Sequence, residues 1–472
     1  MKLVQRLGAF DATMIIAGSM IGSGIFVAPS IMAGWIQSPG VLLGLWIFGG
    51  IFTILGALSC AELATMFPKA GGQYVYLCEA FGPFAAFLFG WTQFLVVQTG
   101  FIAAVSIAFA KFLGVFLPQL GEQQILFTAS FVEMLPALDH PDVPMFLKHY
   151  TLSSAQLVAC GVILVLTLVN IRGVREGAFV QNLFTVTKIG ALVVLAVVGL
   201  AMFGGNTEHF VPIVSTDLGK TAILEKVGFG AALAVALSKA LFAYDAWNTV
   251  TFVSEEVREP KTTLPRSLLL GSGLVMLVYV LTIASFLAVM SMSEMADVKE
   301  SRVGQAVAAK LFGKLGEAAI IVAILISTFG CVNGLILSGA RVSYAMAREG
   351  HFFRSCDSLH PVRATPVAAL VLQAIWSAVL TLTGSFDALL TYTTFASVLF
   401  AALMILGVFW LRWTRPDADR PYRCWGYPLP PMLYLAIAIP FLVYVIRGDP
   451  MSTGIGLLIV ASGVPAYLMW RK

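Results

Sequence analysis

Apolar residues run along most of the chain in windows of about 20 residues, the length that crosses a bilayer as a helix. Pro, Gly or clustered charges separate these windows. The pattern predicts an all-α polytopic membrane protein with twelve spans, at residues 9–33, 39–66, 84–117, 154–171, 178–203, 227–254, 266–291, 316–346, 365–384, 387–412, 428–446 and 453–470.

Composition supports this class and orients the chain. Of its 472 residues, 59% are hydrophobic and 11% charged, against about 25% charged in typical soluble proteins. This excludes a soluble enzyme, a nucleic-acid-binding protein and a secreted scaffold as the main body. Of the 29 Lys and Arg residues, 18 fall on the side of the N-terminus, eight on the other side and three within spans. The positive-inside rule therefore predicts that both termini are cytoplasmic.

Two predicted spans carry residues that disfavour a regular helix at mid-membrane. Gly18, Gly22 and Gly24 lie within seven residues of the first span, where glycine permits either close packing or a break. The sixth span places Asp245 in mid-membrane, at a cost of at least about 2.5–3.5 kcal/mol, and such groups are usually functional or paired. Pairing with Lys239 or with an outer-loop cation is the alternative to a functional role.

The first and sixth spans, which carry these unusual residues, are the first helices of two successive five-helix units. Because five is odd, the second unit begins on the opposite face and is inverted, and matching broken helices in inverted repeats are typical of secondary transporters. We therefore expect one transporter domain over residues 1–472, with repeats at 9–203 and 227–412 and two additional helices at 428–470.

The same two segments predict a ligand class. An unwound helix leaves amides that attract a carboxylate and carbonyls that accept from an ammonium group. The predicted amide donors are Gly22, Ser23 and Gly24, and the predicted carbonyl acceptors are Met20, Ile21, Phe242 and Ala243. A carboxylate at one end and an ammonium at the other indicate an α-amino acid.

Nearby side chains have alternative roles. Tyr244 and Trp247 either cover the ligand side chain or pack in the bundle, and Asn248 is interpreted as holding the unwound backbone rather than contacting the ligand. Asp245 would favour cationic or polar ligand side chains. Lys188 lies in the apolar fifth span, where burying a lysine costs free energy. Because its side chain cannot reach the membrane surface from mid-depth, we expect an internal role, such as donating to carbonyls of the broken first span.

Other polar residues suggest no separate chemistry. The six cysteines lack a CxxC spacing and the five histidines lack metal-ligand spacing, so we expect structural thiols, no metal and no cofactor. No H-E-x-x-H or G-x-S-x-G motif indicates an enzyme. Glu62, Glu255 and Glu256 are interpreted as a solvated face. The alternative is that these three glutamates form an inner gate by pairing with Lys69, Arg172, Arg258 or Arg341.

Four segments, in order, carry a family resemblance. They are GSMIGSGIF from Gly18, CAELATMFPKAGGQYVYL from Cys60, FAYDAWNTVTFVSEEVREPKTTLPRSL from Phe242 and RPDADRPYRCWGYPLPP from Arg415. The chain resembles the amino acid–polyamine–organocation superfamily and, within it, the L-type amino acid transporter family, over nearly its whole length. The resemblance implies a LeuT-type fold of five plus five inverted helices with two additional helices.

The resemblance also implies roles for particular residues. It matches Gly22, Ser23 and Gly24 to the segment that binds the substrate carboxylate, and the four carbonyls above to acceptors near the substrate amine. Lys188 matches a lysine that stands where sodium-coupled relatives bind an ion. The position of Asp245 is glycine in members that take large neutral side chains, and aspartate in some that take cationic amino acids or cystine.

The implied function is sodium-independent transport of L-amino acids, expected to be neutral, across the cytoplasmic membrane by alternating access and exchange. Proton-coupled uptake of amino acids or polyamines and transport of cationic amino acids remain alternatives. A channel is disfavoured because the spans offer no continuous polar path. No disulfide-linked heavy chain is expected, because the predicted outer loop at 118–153 contains no cysteine.

Overall fold

The computed structural model describes residues 3–130, 149–203, 209, 229–298, 302–383, 386–448 and 450–470. Within these residues, ten helices are long and apolar enough to cross a bilayer, and two shorter apolar helices lie at Gly230–Tyr244 and Val367–Thr383. The chain is therefore a mostly helical, multi-pass membrane protein. The middle of the predicted outer loop, 131–148, and the start of the predicted sixth span, 227–228, lie outside the described residues.

The helices alternate with short connections along the whole described chain. In chain order they are α1 Ala9–Met20, α2 Gly24–Trp35, α3 Pro39–Met66, α4 Gln73–Phe81, α5 Pro83–Thr92, α6 Gln98–Phe116, α7 Ser154–Arg172, α8 Val174–Phe203, α9 Phe229–Tyr244, α10 Thr249–Phe252, α11 Pro260–Val289, α12 Met292–Ala296, α13 Val303–Arg348, α14 Val367–Thr383, α15 Phe386–Thr414, α16 Leu429–Gly448 and α17 Pro450–Trp470.

The structure departs from the predicted helices at three places. Between α6 and α7, strands β1 (Ile125–Ser130) and β2 (His149–Ser153) pair antiparallel, so the all-α prediction was wrong for this segment. A π-helical turn at Gln93–Val97 interrupts the third predicted span. The eighth begins at Val303 rather than at residue 316 and bends at Gly313, whose φ of 63° suits glycine.

The core lies where long helices cross the two broken ones. α11 packs along α3 and α8, and α13 packs along α8 and α6, while α1 crosses α11 and α2 crosses α9. Small residues permit these approaches: a Cβ added at Gly271 of α11 would lie 2.8 Å from Ile16 of α1. Close contact through small residues is how helices associate where lipid replaces water.

Two acidic residues predicted to face solvent are instead buried in ion pairs. Glu256 accepts from Arg341 Nε at 2.8 Å, with both side chains almost fully buried. Glu62 accepts from Arg412 Nε at 2.8 Å and Nη2 at 2.6 Å, with Arg420 Nε at 3.4 Å. The solvated-face interpretation is wrong for both acids. Removing one partner of such a buried pair typically costs about 3–5 kcal/mol, so these pairs fix the helix ends that they join.

Candidate functional site

The first predicted span is interrupted between α1 and α2. α1 ends at Met20, Ile21 takes an extended conformation (φ −77°, ψ 90°), and α2 begins at Gly24. The amide groups of Gly22, Ser23 and Gly24 donate to no other described residue. Because the first amides of a helix lack intrahelical acceptors and lie at its positive end, this break presents a backbone suited to an anion.

The sixth predicted span is interrupted between α9 and α10. α9 ends at Tyr244 and α10 begins at Thr249, and between them Ala246 has a positive φ of 68°. Ala246 N donates to Asp245 Oδ1 at 2.6 Å, while Ala246 O accepts from Thr249 N at 3.2 Å and Thr249 Oγ1 at 2.7 Å. The second break therefore satisfies much of its backbone locally.

The two breaks face one buried cavity of about 10 Å³, room for about one water molecule. Its lining residues are Ser19, Met20, Gly22, Ser23, Gly24, Phe101, Val105, Phe242, Ala243, Asp245, Ala246, Cys331 and Leu335. The hydroxyls of Ser19 and Ser23 are buried there without a hydrogen-bond partner in the part of the chain that the structure describes. The structure thus brings most of the predicted backbone positions together around one space that contains unpaired polar atoms.

Small residues are required where the breaks approach each other. A Cβ added at Gly24 would lie 2.7 Å from the Cβ of Ala243, and one added at Gly22 would lie 2.9 Å from Cys331 Sγ. Real Cβ atoms do not approach neighbours so closely, so a side chain at either position would push the surrounding helices apart.

Lys188 of α8 reaches the first break from outside. Its Nζ donates to Gly18 O and Ile21 O at 2.6 Å each, and to Ser327 O at 3.3 Å. The side chain is buried, with 1% of its surface exposed. The expected contact between this ammonium and the carbonyls of the broken helix is therefore present. It satisfies carbonyls that the break leaves without amide donors.

Other side chains already engage several carbonyls predicted to face a substrate amine. Tyr279 Oη lies 2.9 Å from Met20 O and 3.1 Å from Ala243 O, and so bridges the two breaks. Ile21 O accepts from Ser327 Oγ at 3.1 Å as well as from Lys188. Since a carbonyl has two lone pairs, Met20 and Ala243 retain acceptor capacity, whereas Ile21 O already has two donors.

Asp245 lines the cavity with one carboxylate oxygen unpaired. Oδ1 accepts from Ala246 N at 2.6 Å and from Ser397 Oγ at 3.0 Å, whereas Oδ2 is buried without a partner. Among the described residues no ion pair joins this carboxylate to a cation, so the predicted pairing with Lys239 is not observed. The other predicted partner, a cation of an outer loop, falls partly on residues outside those described. A buried carboxylate oxygen without a donor favours a ligand that supplies one.

Three predicted side chains point away from the cavity. Tyr244 Oη donates to Trp46 O at 3.0 Å, Trp247 packs against Gly56, and Asn248 Nδ2 donates to Gln73 Oε1 at 2.7 Å. The packing alternative therefore describes Tyr244 and Trp247 in this conformation. Asn248 joins α10 to α4 through this hydrogen bond.

Six lining residues were not identified as site residues from the sequence. Two of them, Ser19 and Ala246, lie beside predicted residues at the two breaks, and the other four lie on other helices. Phe101 and Val105 belong to α6, and Cys331 and Leu335 belong to α13. Phe101 stacks on Phe242 with ring centroids 4.9 Å apart. All four occupy regular apolar helices, so their local sequence resembles any lipid-facing or core segment. Only the crossing of α6 and α13 over the breaks places them at the cavity.

A multi-pass helical bundle in which two broken helices face one buried cavity is the architecture of a membrane transporter. Within the described residues no group of three or more His, Cys, Asp or Glu side chains forms a metal site.

Comparison with known proteins gives the family. The amino acid permease model matches residues 7–466. The chain is 32% identical to Asc-type amino acid transporter 1 of Mus musculus, covering 100% of this chain and 82% of that protein. It is 30% identical to b(0,+)-type amino acid transporter 1 of Homo sapiens, with coverage of 99% and 88%. It is 31% identical to large neutral amino acids transporter small subunit 2 of Homo sapiens, with coverage of 99% and 80%.

The chain belongs to the amino acid permease family, and its relatives are transporters rather than enzymes. The resemblance found from the sequence segments is thereby confirmed.

Proposed function

We propose that this protein is a sodium-independent secondary transporter that exchanges neutral L-amino acids across the cytoplasmic membrane. The observation that carries the proposal is the cavity between the two breaks, with free amides on one side and backbone carbonyls on the other. The relatives' names, which specify amino acids as their cargo, support the same class of substrate.

The α-carboxylate binds at the start of α2. The amides of Gly22, Ser23 and Gly24 are its donors, together with the Ser23 hydroxyl, which is buried without a partner. The α-ammonium group binds to the carbonyls of Met20, Phe242 and Ala243, each of which retains a lone pair. Two oppositely charged ends held by backbone groups select an α-amino acid whatever its side chain.

Sodium independence follows from Lys188. Its Nζ donates to two carbonyls of the broken first helix, Gly18 O and Ile21 O, and so occupies that position with a donor of the protein's own. A metal cation placed there would have to displace the Lys188 contacts. In the cycle that we propose, the cargo moves without a sodium ion, and exchange of one amino acid for another drives it.

Transport requires the helices around the cavity to separate. At about 10 Å³ the cavity is too small for an amino acid, so loading and release require α1, α2, α9 and α10 to move relative to α6 and α13. We propose alternating access, in which the cavity opens to one side at a time.

The wider architecture that we propose is the one expected from the sequence. Two short apolar helices, added to ten long ones, give twelve spans. We propose five plus five inverted helices over 9–203 and 227–412, two further helices at 428–470, and cytoplasmic termini. The whole chain acts as one domain, without a disulfide-linked heavy chain.

A second candidate function is transport of cationic amino acids. It is favoured by Asp245, which lines the cavity and whose Oδ2 is buried without a donor from the described residues. A cationic side chain would supply that donor and offset the buried negative charge.

The test is uptake of labelled amino acids into liposomes that contain the purified protein, after a thermal-shift screen of the twenty amino acids selects the substrate. We expect saturable uptake that accelerates when unlabelled substrate is placed inside. Non-saturating flux would contradict the transporter assignment, and uptake indifferent to internal substrate would contradict exchange.

A matched pair of variants ties this activity to the cavity. Gly24→Ala places a Cβ 2.7 Å from Ala243 and should reduce uptake about tenfold or more, because the breaks cannot close. Gly34→Ala, on the same helix, meets nothing within 4 Å and should transport normally. Equal activity of the two variants would show that the cavity is not the substrate site.

A further inference from the structure

A second and larger cavity lies at the first turns of α1 and α8. It has a volume of about 580 Å³, and its lining residues are Arg6, Leu7, Asp11, Arg175, Ala178, Phe179, Asn182 and Arg258. We call it the arginine cavity. It shares no lining residue with the cavity between the breaks, so the amino acid site does not account for it.

The charges of the arginine cavity are not balanced by the protein. Within the described chain, none of Arg6, Arg175 and Arg258 has a carboxylate within 4 Å, and all three are exposed. Asp11 is the acid in the lining, but its Oδ2 accepts from Gly8 N at 2.8 Å and its Oδ1 from Asn182 Nδ2 at 2.6 Å. Three guanidinium groups thus face one cavity with a net positive charge.

Other arginines in the described chain are neutralised by a glutamate. Arg341 pairs with Glu256, Arg348 with Glu255, and Arg412 with Glu62. Unlike these paired arginines, the three arginines of the cavity are available to an external anion. Guanidinium groups bind phosphate oxygens through paired, charge-assisted hydrogen bonds.

The surface beside the cavity indicates where that anion comes from. Phe179 lines the cavity with 67% of its surface exposed, and below it Leu183, Val186 and Val197 are exposed on α8. Their spacing follows one face of the helix, and from Phe179 to Val197 this face covers about 27 Å at about 1.5 Å per residue. That distance is close to the hydrocarbon thickness of a bilayer, about 30 Å.

We propose that the arginine cavity binds the headgroup phosphate of an anionic phospholipid, with an acyl chain lying along the Phe179–Val197 face of α8. Basic cavities between helices at the membrane surface suit such headgroups. The cavity joins α1, which supplies the carbonyl of Gly18, to α8, which supplies Lys188. A bound lipid therefore holds together the two helices that meet at the first break.

Native mass spectrometry of the protein released from nanodiscs tests this proposal. Nanodiscs of phosphatidylcholine alone are compared with nanodiscs that also contain phosphatidylglycerol. We expect at least one phosphatidylglycerol to remain bound where phosphatidylcholine does not. The double variant Arg175→Gln/Arg258→Gln should weaken that retention about tenfold or more, since each charge-assisted hydrogen bond contributes strongly to affinity.

The control is Arg363→Gln, which removes an exposed arginine outside the cavity lining. Melting temperatures in phosphatidylcholine alone verify that all variants fold, and any variant that fails is replaced by the single Arg175→Gln. Equal retention of the two lipids, or equal loss in the control, would overturn the proposal. Stabilisation of the wild type by inorganic phosphate alone, with the same dependence on Arg175, would indicate a soluble-anion site and would also overturn it.

Discussion

The break between α1 and α2 depends on backbone groups and a lysine from another helix, whereas the break between α9 and α10 contains its own ionisable side chain. In the first, the amides of Gly22 to Gly24 have no acceptor among the described residues, and the carbonyls of Gly18 and Ile21 are satisfied by Lys188. In the second, Asp245 and Thr249 satisfy the turn around Ala246.

From this difference we infer that the two breaks recognise different parts of the substrate. In the proposed function, the free backbone groups at the first break bind what all amino acids share, the carboxylate and the amine. The unpaired oxygen of Asp245 at the second break is a side-chain group, and we propose that it reads the part in which amino acids differ. Tyr279 Oη, between Met20 O and Ala243 O, couples the two breaks.

The largest effect is expected from Lys188→Ala. The variant removes the donor to Gly18 O, Ile21 O and Ser327 O. Ile21 O keeps Ser327 Oγ as a donor, whereas Gly18 O loses its side-chain donor, and an unsatisfied buried group costs about 1–3 kcal/mol. We expect uptake of every substrate to fall more than tenfold and the melting temperature to fall. Thr187→Ala, at the exposed neighbouring position, is the control and should transport normally. Unchanged uptake in Lys188→Ala would remove the basis for assigning the first break a lysine-dependent role.

A smaller, selective effect is expected from Asp245→Asn. The amide keeps the size of the side chain but removes its charge, and a hydrogen bond to a charged group is worth about 1.5–3 kcal/mol. Competition assays should show the preference for neutral over cationic amino acids rising about tenfold, with neutral uptake retained. Ser397→Ala, which removes a donor to Asp245 Oδ1, should shift the preference less. A uniform loss for all substrates would mean that the two breaks do not divide recognition.

The smallest effect is expected from Ala246→Gly. Ala246 has a φ of 68°, which costs an L-residue about 1–2 kcal/mol, while glycine brings an entropic cost of about 0.5–1 kcal/mol. We expect the variant to be more stable by up to about 1 kcal/mol in thermal unfolding. Ala240→Gly, in the regular part of α9, should instead be less stable. Destabilisation in both would show that the second break is not strained.

The sequence predicted the parts of the site that conflict with a regular apolar helix. Glycines clustered at Gly22, an acid at Asp245 and a lysine at Lys188 are all unusual in mid-membrane, so the sequence alone identifies each of them. Phe101 and Cys331 were not, because an apolar residue on a regular helix is equally suited to lipid, core or cavity. The orientations of Tyr244 and Asn248 depend on the geometry of the turn, which residue type alone does not determine.

The fold shows the same limit. Helix positions follow from apolar windows, whereas the β1–β2 pair and the bend at Gly313 lie where windows end and local conformation decides. Glu62 and Glu256 were assigned to solvent because ion pairs between exposed side chains contribute little stability. Arg341, a partner in the alternative interpretation, does pair with Glu256, whereas Arg412, the partner of Glu62, was not among the alternatives. The burial of both acids follows from helix packing.

The most direct test of the central claim is uptake by wild-type protein in liposomes with sodium fully replaced by choline. The claim is that Lys188 Nζ occupies the carbonyls of Gly18 and Ile21 at the first break, so the protein needs no sodium ion there. We predict the same saturable, exchange-stimulated uptake in both media. A strict requirement for sodium would contradict the account.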